Sequence, residues 1–279
     1  MPAWRIGHTA LTWEVLSKPE RLEEALRDCA ELGYAGTETG GRIYDWYQRE
    51  RPGEFETLLK RYGVKMACLF HSGAWTDPAQ QPTLVADGKR WAEALKSFGG
   101  DVLMVVPGPR RADNSSYSQA EFQQMADAMN ETGLQARAAG IITAMHPHWG
   151  TAAETREEIE LLLSLLDPAV VGFAPDSGQI AKGGADPVPI FRKYATRIQH
   201  VHLKDLSPEW EEMKRAGVPL RSPAGYAELG EGLVDFPAIF QIIKDVGFSG
   251  WLMAELDETK RTARESAEIS MRYLKAHLG

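Results

Sequence analysis

The chain has 279 residues, 43% hydrophobic and 25% charged, a length and balance that suit one large core of α/β type. A net charge of −8 with no basic patch argues against nucleic acid as a partner, and no run of about 18 apolar residues is present to span a membrane. Two cysteines, Cys29 and Cys68, are too few for a disulfide framework, and the N-terminus lacks a basic region followed by a long apolar run, so the expected setting is reduced and cytoplasmic.

In chain order, the first strand candidate spans 5–13, with His8 low in it as a structural residue and Trp13 at its end. A helix over 18–32 follows, with Leu22, Ala25, Leu26 and Cys29 at helical spacing and Gly33 as its stop. Strands at 35–40 and 65–72 carry Glu38 and His71. A strand at 101–108 precedes the amphipathic stretch FQQMADAMNETGLQARAA, and one at 141–148 carries His146 and His148 before EEIELLLSLL. Strands at 170–176, 198–204 and 250–257 end on Asp176, on His200, His202 and Lys204, and on Glu255 and Asp257, and the last helix starts after the acidic pair Asp257–Glu258. Eight strands alternating with helices at about 30–35 residues per unit predict a single-domain (β/α)8 TIM barrel over 1–279. No glycine-rich phosphate loop follows the first strand, which counts against an open doubly wound sheet. The connection 206–234 is too long for a turn and is expected to act as a lid.

Strand alternation sorts the candidate site residues. His146 and His148, His200 with His202 and Lys204, and Glu255 with Asp257 each share one face of their strand, opposite mainly apolar neighbours. That polar face points into the barrel mouth, where barrel enzymes carry out their chemistry. Taken singly, Asp176 is a helix cap and each histidine a hydrogen-bonded core residue. Taken together, His146, Asp176, His202 and Glu255 predict one divalent metal ion. With no thiolate among the donors, Mn²⁺ ranks first and Co²⁺, Mg²⁺, Fe²⁺ and Zn²⁺ follow. Such an ion polarises a carbonyl and acidifies the neighbouring C–H, and a nearby base removes the proton. Glu38 is expected to position a hydroxyl or relay protons, and Lys204 to stabilise an enolate. His71, Trp13, Trp149, His200 and Asp257 are expected to line the substrate pocket, with Trp46 and Trp75 as further aromatic candidates near strand ends.

The stretches PDSGQIAKGGADPVPIFRKYATRIQHVHLKD, ELGEGLVDFPAIF and GWLMAELD, with this ligand pattern, resemble the xylose isomerase-like TIM-barrel superfamily. That sugar phosphate isomerase/epimerase group also includes D-tagatose 3-epimerase, hydroxypyruvate isomerase, inosose dehydratase and apurinic endonuclease. The resemblance covers nearly the whole chain and implies a metal held by Glu, Asp, His and Glu. Asp176, His202 and Glu255 match the last three positions, and His146 of MHPHWGT stands where the first glutamate is expected, a form similar to the inosose dehydratase branch. Epimerases of this group use two metal-bound glutamates on opposite faces of the substrate, so His146 favours a one-base reaction with Glu255 or His148 as the base. The Asn-Asp pair associated with inosose dehydratase is missing after Trp13. The resemblance implies a metal-dependent isomerase or epimerase acting on a small keto-sugar or cyclitol through an enolate, with an inosose dehydratase-like lyase that eliminates a β-leaving group from a keto-cyclitol or keto-glycoside as alternative, and assembly into dimers or tetramers. A non-catalytic barrel subunit is the reading of a different class, and phosphodiester hydrolysis on DNA is disfavoured by the acidic charge.

Overall fold

The computed structural model describes residues 4–217 and 224–278. Ten strands occur among them: β1 Arg5–Thr9, β2 Gly36–Gly40, β3 Lys65–Ser72, β4 Val102–Val106, β5 Ile142–Met145, β6 Val171–Phe173, β7 His200–Leu203, β8 Asp205–Leu206, β9 Tyr226–Ala227 and β10 Trp251–Ala254. Eight of them form one parallel sheet in the order β6-β5-β4-β3-β2-β1-β10-β7. Isolated parallel bridges, Phe173 with Ile198 and Asp176 with His202, join its two edges. The result is the predicted TIM barrel, with a seam between β6 and β7 that is thinner than the other ladders. The remaining pair, β8 and β9, forms a short antiparallel ribbon beside the mouth that the sequence pattern does not anticipate.

Most ladders are shorter than the apolar runs that encode them. After Thr9 the chain turns into a 3-10 helix, Ala10–Trp13, and β5 and β6 end at Met145 and Phe173. His146, Asp176, Lys204 and Glu255 therefore lie just beyond the last ladder residues, where the chain leaves the barrel. Local chemistry closes the helices: Gly33, at φ 87°, ends Leu22–Leu32, and capping boxes of Ser118 with Glu121 and Thr155 with Glu158 start Gln119–Ala138 and Arg156–Leu165. Two helices, Gly41–Glu50 and Glu54–Tyr62, follow β2 where one is expected, and the last helix begins at Ala263 rather than directly after Glu258.

Alternation holds around the wall. Leu69, Leu103, Val105, Val201, Leu203 and Leu252 face the helices in the main core. Inside, Cys68, Val102, Met104, Ala144 and Ala174 fill the middle of the barrel. Asp101 closes the floor, taking hydrogen bonds from Arg5 at 2.6 Å and from Trp251 Nε1 at 2.7 Å. Cys29 and Cys68 are both free and buried. No helix among the described residues is long and apolar enough to cross a membrane.

Candidate active site

The motif PDSG builds one side of the mouth. Asp176 Oδ1 accepts from the Gln179 amide at 2.8 Å and caps the helix Ser177–Lys182. Ser177 Oγ accepts from the Lys204 amide at 3.0 Å and donates to the Lys204 carbonyl at 2.8 Å, stitching the end of β6 to the end of β7. A Cβ on Gly178 would lie 2.6 Å from Lys204 Cγ, so only glycine lets the lysine pass. The next residue, Asp205, accepts backbone N–H bonds from Leu206, Gly230, Gly232 and Val234 at 2.9–3.0 Å, which ties the ELGEGLV loop to β7.

Ligand atoms of His146, Asp176 and His202 lie within 4.8 Å of one another, and so do those of Glu38, His202 and Glu255. His202 is the shared member. Its Nδ1 bonds Glu255 and lies 3.8 Å from Asp176 Oδ2, while its Nε2 lies 2.8 Å from Glu38 Oε1. Below it, His200 Nε2 bonds Glu38 Oε2 at 2.8 Å. Lys204 Nζ reaches Glu255 at 2.8 Å, Asp257 at 2.9 Å and Asp176 at 3.7 Å. His146 Nδ1 faces the Ala174 carbonyl at 3.2 Å, which takes its N–H and leaves Nε2 as a lone pair for the centre.

Burial and pairing pull these groups apart electrostatically. Burial raises Asp176 to about 7, with Lys204 pulling the other way and Glu255 adding to the rise. Burial also opposes ionisation of Glu38, but His202 and His200 outweigh it and bring Glu38 down to about 2. Glu255 is held well below the usual carboxylate range despite burial, by Lys204 and His202. Burial, then His202, drives His146 well down, and burial, then Lys204, lowers His148. Asp176 Oδ2 is buried with no hydrogen-bond partner, and the Lys204 ammonium stands 3.7 Å off, beyond hydrogen-bond reach, which leaves the oxygen open to a further cation. An oxygen without a partner beside two imidazoles and Glu255 fits a divalent ion of the borderline class.

His148 is half-buried and faces the cavities. Its Nδ1 lies 2.6 Å from the Trp149 carbonyl, an acceptor, so Nδ1 carries the proton; Nε2 then accepts from Gln179 Nε2 at 2.9 Å. Gln179 has a fixed orientation, because its Oε1 takes the Trp149 amide at 3.1 Å and the Tyr226 hydroxyl at 2.6 Å. Asp257 and Trp149 line the outer cavity. Three expected pocket residues lie elsewhere. His71 points away from the mouth, wedged between Trp75 and Trp91 with ring centroids at 4.7 Å, its Nε2 on the Leu84 carbonyl at 2.8 Å. Trp13 is fully buried against His8 and donates to Asp28 at 2.9 Å, because the 3-10 turn carries it into the core. His200 sits one layer below the mouth and supports Glu38 instead of lining a pocket.

Sequence reasoning missed Gln179 and Tyr226, which have no motif of their own, and the apolar wall of Leu11, Leu16, Phe70 and Met104, of which alternation alone could have found Phe70 and Met104. Lys182 is nearly buried in a cage of Trp149, Trp210 and Tyr226, 4.0, 4.7 and 4.3 Å from the ring centroids, and so docks the β8–β9 ribbon on the mouth. Of the connection expected to be a lid, residues 218–223 lie outside the described residues.

The model of the xylose isomerase-like TIM barrel family matches residues 26–277. An inosose dehydratase of Geobacillus kaustophilus (strain HTA426) is 29% identical over 93% of this chain and 89% of the relative. One from Lacticaseibacillus casei is also 29% identical, over 97% and 94%. Among solved structures, a probable 3-DHS dehydratase, AsbF, of Bacillus anthracis superposes with a TM-score of 0.75 at 17% identity over 97% of this chain and 98% of that one. An IolI protein with a bound zinc atom gives 0.75 at 17% identity over 98% of both chains.

Proposed function

We propose that this chain, which belongs to the xylose isomerase-like TIM barrel family, is a divalent-metal-dependent lyase of the inosose dehydratase type acting on a small keto-cyclitol or keto-sugar. The observation that carries the metal is the orphaned Asp176 Oδ2 amid His146, His202 and Glu255. An ion held by these four, manganese first among the candidates, supplies Lewis acidity that polarises a substrate carbonyl and acidifies the adjacent C–H. His148 is the base: it lines the chamber, burial keeps its imidazole neutral, its Nδ1–H is tied to the Trp149 carbonyl, and its Nε2 must exchange the bond it accepts from Gln179 for the substrate proton. Glu255 is the weaker candidate, since Lys204 and His202 stabilise its carboxylate so strongly that it is a poor proton acceptor. The Lys204 ammonium, paired with Glu255 and Asp257, supplies positive charge behind the chamber against the negative charge that develops on the substrate oxygen. Glu38, deeper than the substrate, braces His202. The proton taken by His148 leaves on the departing β-hydroxyl, which is released as water.

Elimination ranks ahead of epimerisation for a geometric reason. An epimerase of this kind needs a second base across the ring. β1 lies diametrically opposite β5 in the strand order, and the segment following β1 offers Leu11 and Leu16 to the chamber, while the two carboxylates that line it, Glu38 and Glu255, are both engaged by His202. The same proposal takes 1–279 as one cytoplasmic domain that assembles into homo-oligomers.

The test combines elemental analysis with turnover of an inosose. Wild-type protein should retain about one divalent ion per chain, and His202→Ala should lose it. His148→Ala should keep the ion while kcat falls roughly 10²–10⁴-fold. Full turnover in His148→Ala removes the base assignment. A wild-type chain that folds but holds no metal favours the non-catalytic subunit instead.

A further inference from the structure

We infer that the substrate is a two-part molecule: a keto ring that reacts in an inner chamber, and an apolar second ring, an aglycone, that fills an outer vestibule. This rests on the function proposed above and narrows its substrate class. The inner chamber, about 240 Å³, is lined by Glu38, His146, His148, His202 and Glu255. The rest of its lining is Leu11, Leu16, Phe70, Met104 and Val106, with the hydroxyls of Ser72 and Thr151. Ligand sites commonly run from about 300 to 1,000 Å³, so the chamber has room for little more than one six-membered ring. The vestibule, about 570 Å³, shares Leu11, Leu16, Ser72, His148 and Thr151 with the chamber and continues over Pro107, Pro109 and Trp149, with Glu14, Ser17, Tyr226 and Asp257 also in its lining.

The chemistry of the wall selects the occupant. A free polyol has hydroxyls around its whole edge, and those turned toward the leucines, Phe70 and Met104 find only the hydroxyls of Ser72 and Thr151 among the lining. Leaving a buried hydroxyl unpaired weakens binding. A ring joined to an apolar group instead presents its substituted edge to that wall and directs the group outward over Trp149 and the prolines. Leu16 is an independent sign. It is 56% exposed, although it lines both spaces. The turn that presents it has Glu14 in a left-handed backbone at φ 58°, with its carboxylate paired to Lys18 at 3.0 Å and to Arg21. A large apolar side chain at the junction of two cavities, beside Leu11, is a wall that an apolar ligand group would cover.

The experiment is calorimetric titration of the manganese-loaded full chain with three ligands that lack a ketone and so do not react: phenyl β-D-glucopyranoside, methyl β-D-glucopyranoside and myo-inositol. Burial of the phenyl ring should make the first bind about tenfold tighter or more than the other two. Leu16→Asn, at an exposed position, should bring the phenyl glucoside down to the affinity of the methyl glucoside. Equal affinities in the wild type, a preference for myo-inositol, or binding of none of the three at millimolar concentration overturns the inference. The two proposals fail separately. A chain that prefers the phenyl glucoside but dehydrates no keto ring refutes the lyase reading alone, whereas efficient dehydration of free inosose without the preference refutes the two-part substrate alone.

Discussion

His8 and His71 are buried with no carboxylate in ion-pair range, and each gives one ring nitrogen to a backbone carbonyl. Burial brings both down to about 4. Their unfolded value is near 6.5, so between about pH 6.5 and 4 the unfolded chain binds protons that the folded chain refuses. Stability is therefore complete above 6.5 and falls as the pH drops toward 4, by about 3 kcal/mol for each histidine. Asp176, raised to about 7 without metal, works in the opposite direction over the range from about 3.8 to 7. The clean measurement is thus the difference in urea midpoint between wild type and His71→Phe across pH 7.5 to 4.5. The wild type should lose ground steadily, and a constant difference would show that His71 carries no such shift. His71 also shows what was legible in the sequence. Cys68 and Phe70 point into the barrel, so strand alternation already places His71 outside, whereas His146, Asp176, His202 and Glu255 gather at the mouth by that same rule. Trp13 was not legible in this way, because alternation stops where the chain leaves β1 at Thr9.

At the level of elements, the floor beneath the site depends on which strand residues lack a side chain. β10 pairs with β7 in a register that sets Trp251 beside His200 and Met253 beside His202. A Cβ on Gly36 would lie 2.5 Å from the Trp251 ring, and one on Gly7 would lie 2.5 Å from Met253 Sδ. Two strands are thus thinned so that two large side chains can fill the barrel under the Glu38–His200 pair. Gly36→Ala should cost about 1–3 kcal/mol through overpacking. Combining it with Trp251→Leu should recover at least about 0.5 kcal/mol relative to the sum of the single changes. Simple additivity in the urea midpoints would mean that the two positions do not compete for space. The eight-strand rhythm was readable because each strand is apolar on its outer face. The ribbon of β8 and β9 was not, because two-residue strands have no periodicity. They are fixed by distant contacts, with Asp205 gathering the amides of Gly230, Gly232 and Val234 and Lys182 packing on Tyr226.

For the whole molecule, the closing seam and the site coincide. Seven neighbouring strand pairs are joined by ladders, while among the described residues the backbones of β6 and β7 pair through the bridges Phe173–Ile198 and Asp176–His202 alone. The backbone bonds across that seam run from Gln199 to the Phe173 carbonyl and from His202 to the Pro175 carbonyl, both at 2.9 Å. Asp176 and His146 stand on one side of it, His202 and Glu255 on the other, so an ion bound by the four would link the two edges of the sheet. Two consequences can be separated. Mass action alone gives about 2.7 kcal/mol at a metal concentration 100-fold above Kd, a rise in Tm of roughly 5–10 °C for a chain of this size. Linking the seam adds a local effect: manganese should slow hydrogen exchange at the Gln199 and His202 amides more than at amides in the β4–β5 ladder. Asp176→Asn keeps an oxygen to cap its helix but gives up the anionic ligand, and it should lose both effects. A rise in Tm with uniform protection across the barrel would leave metal binding intact and refute the seam as its structural target. No rise at all in the wild type would remove the ion from this centre.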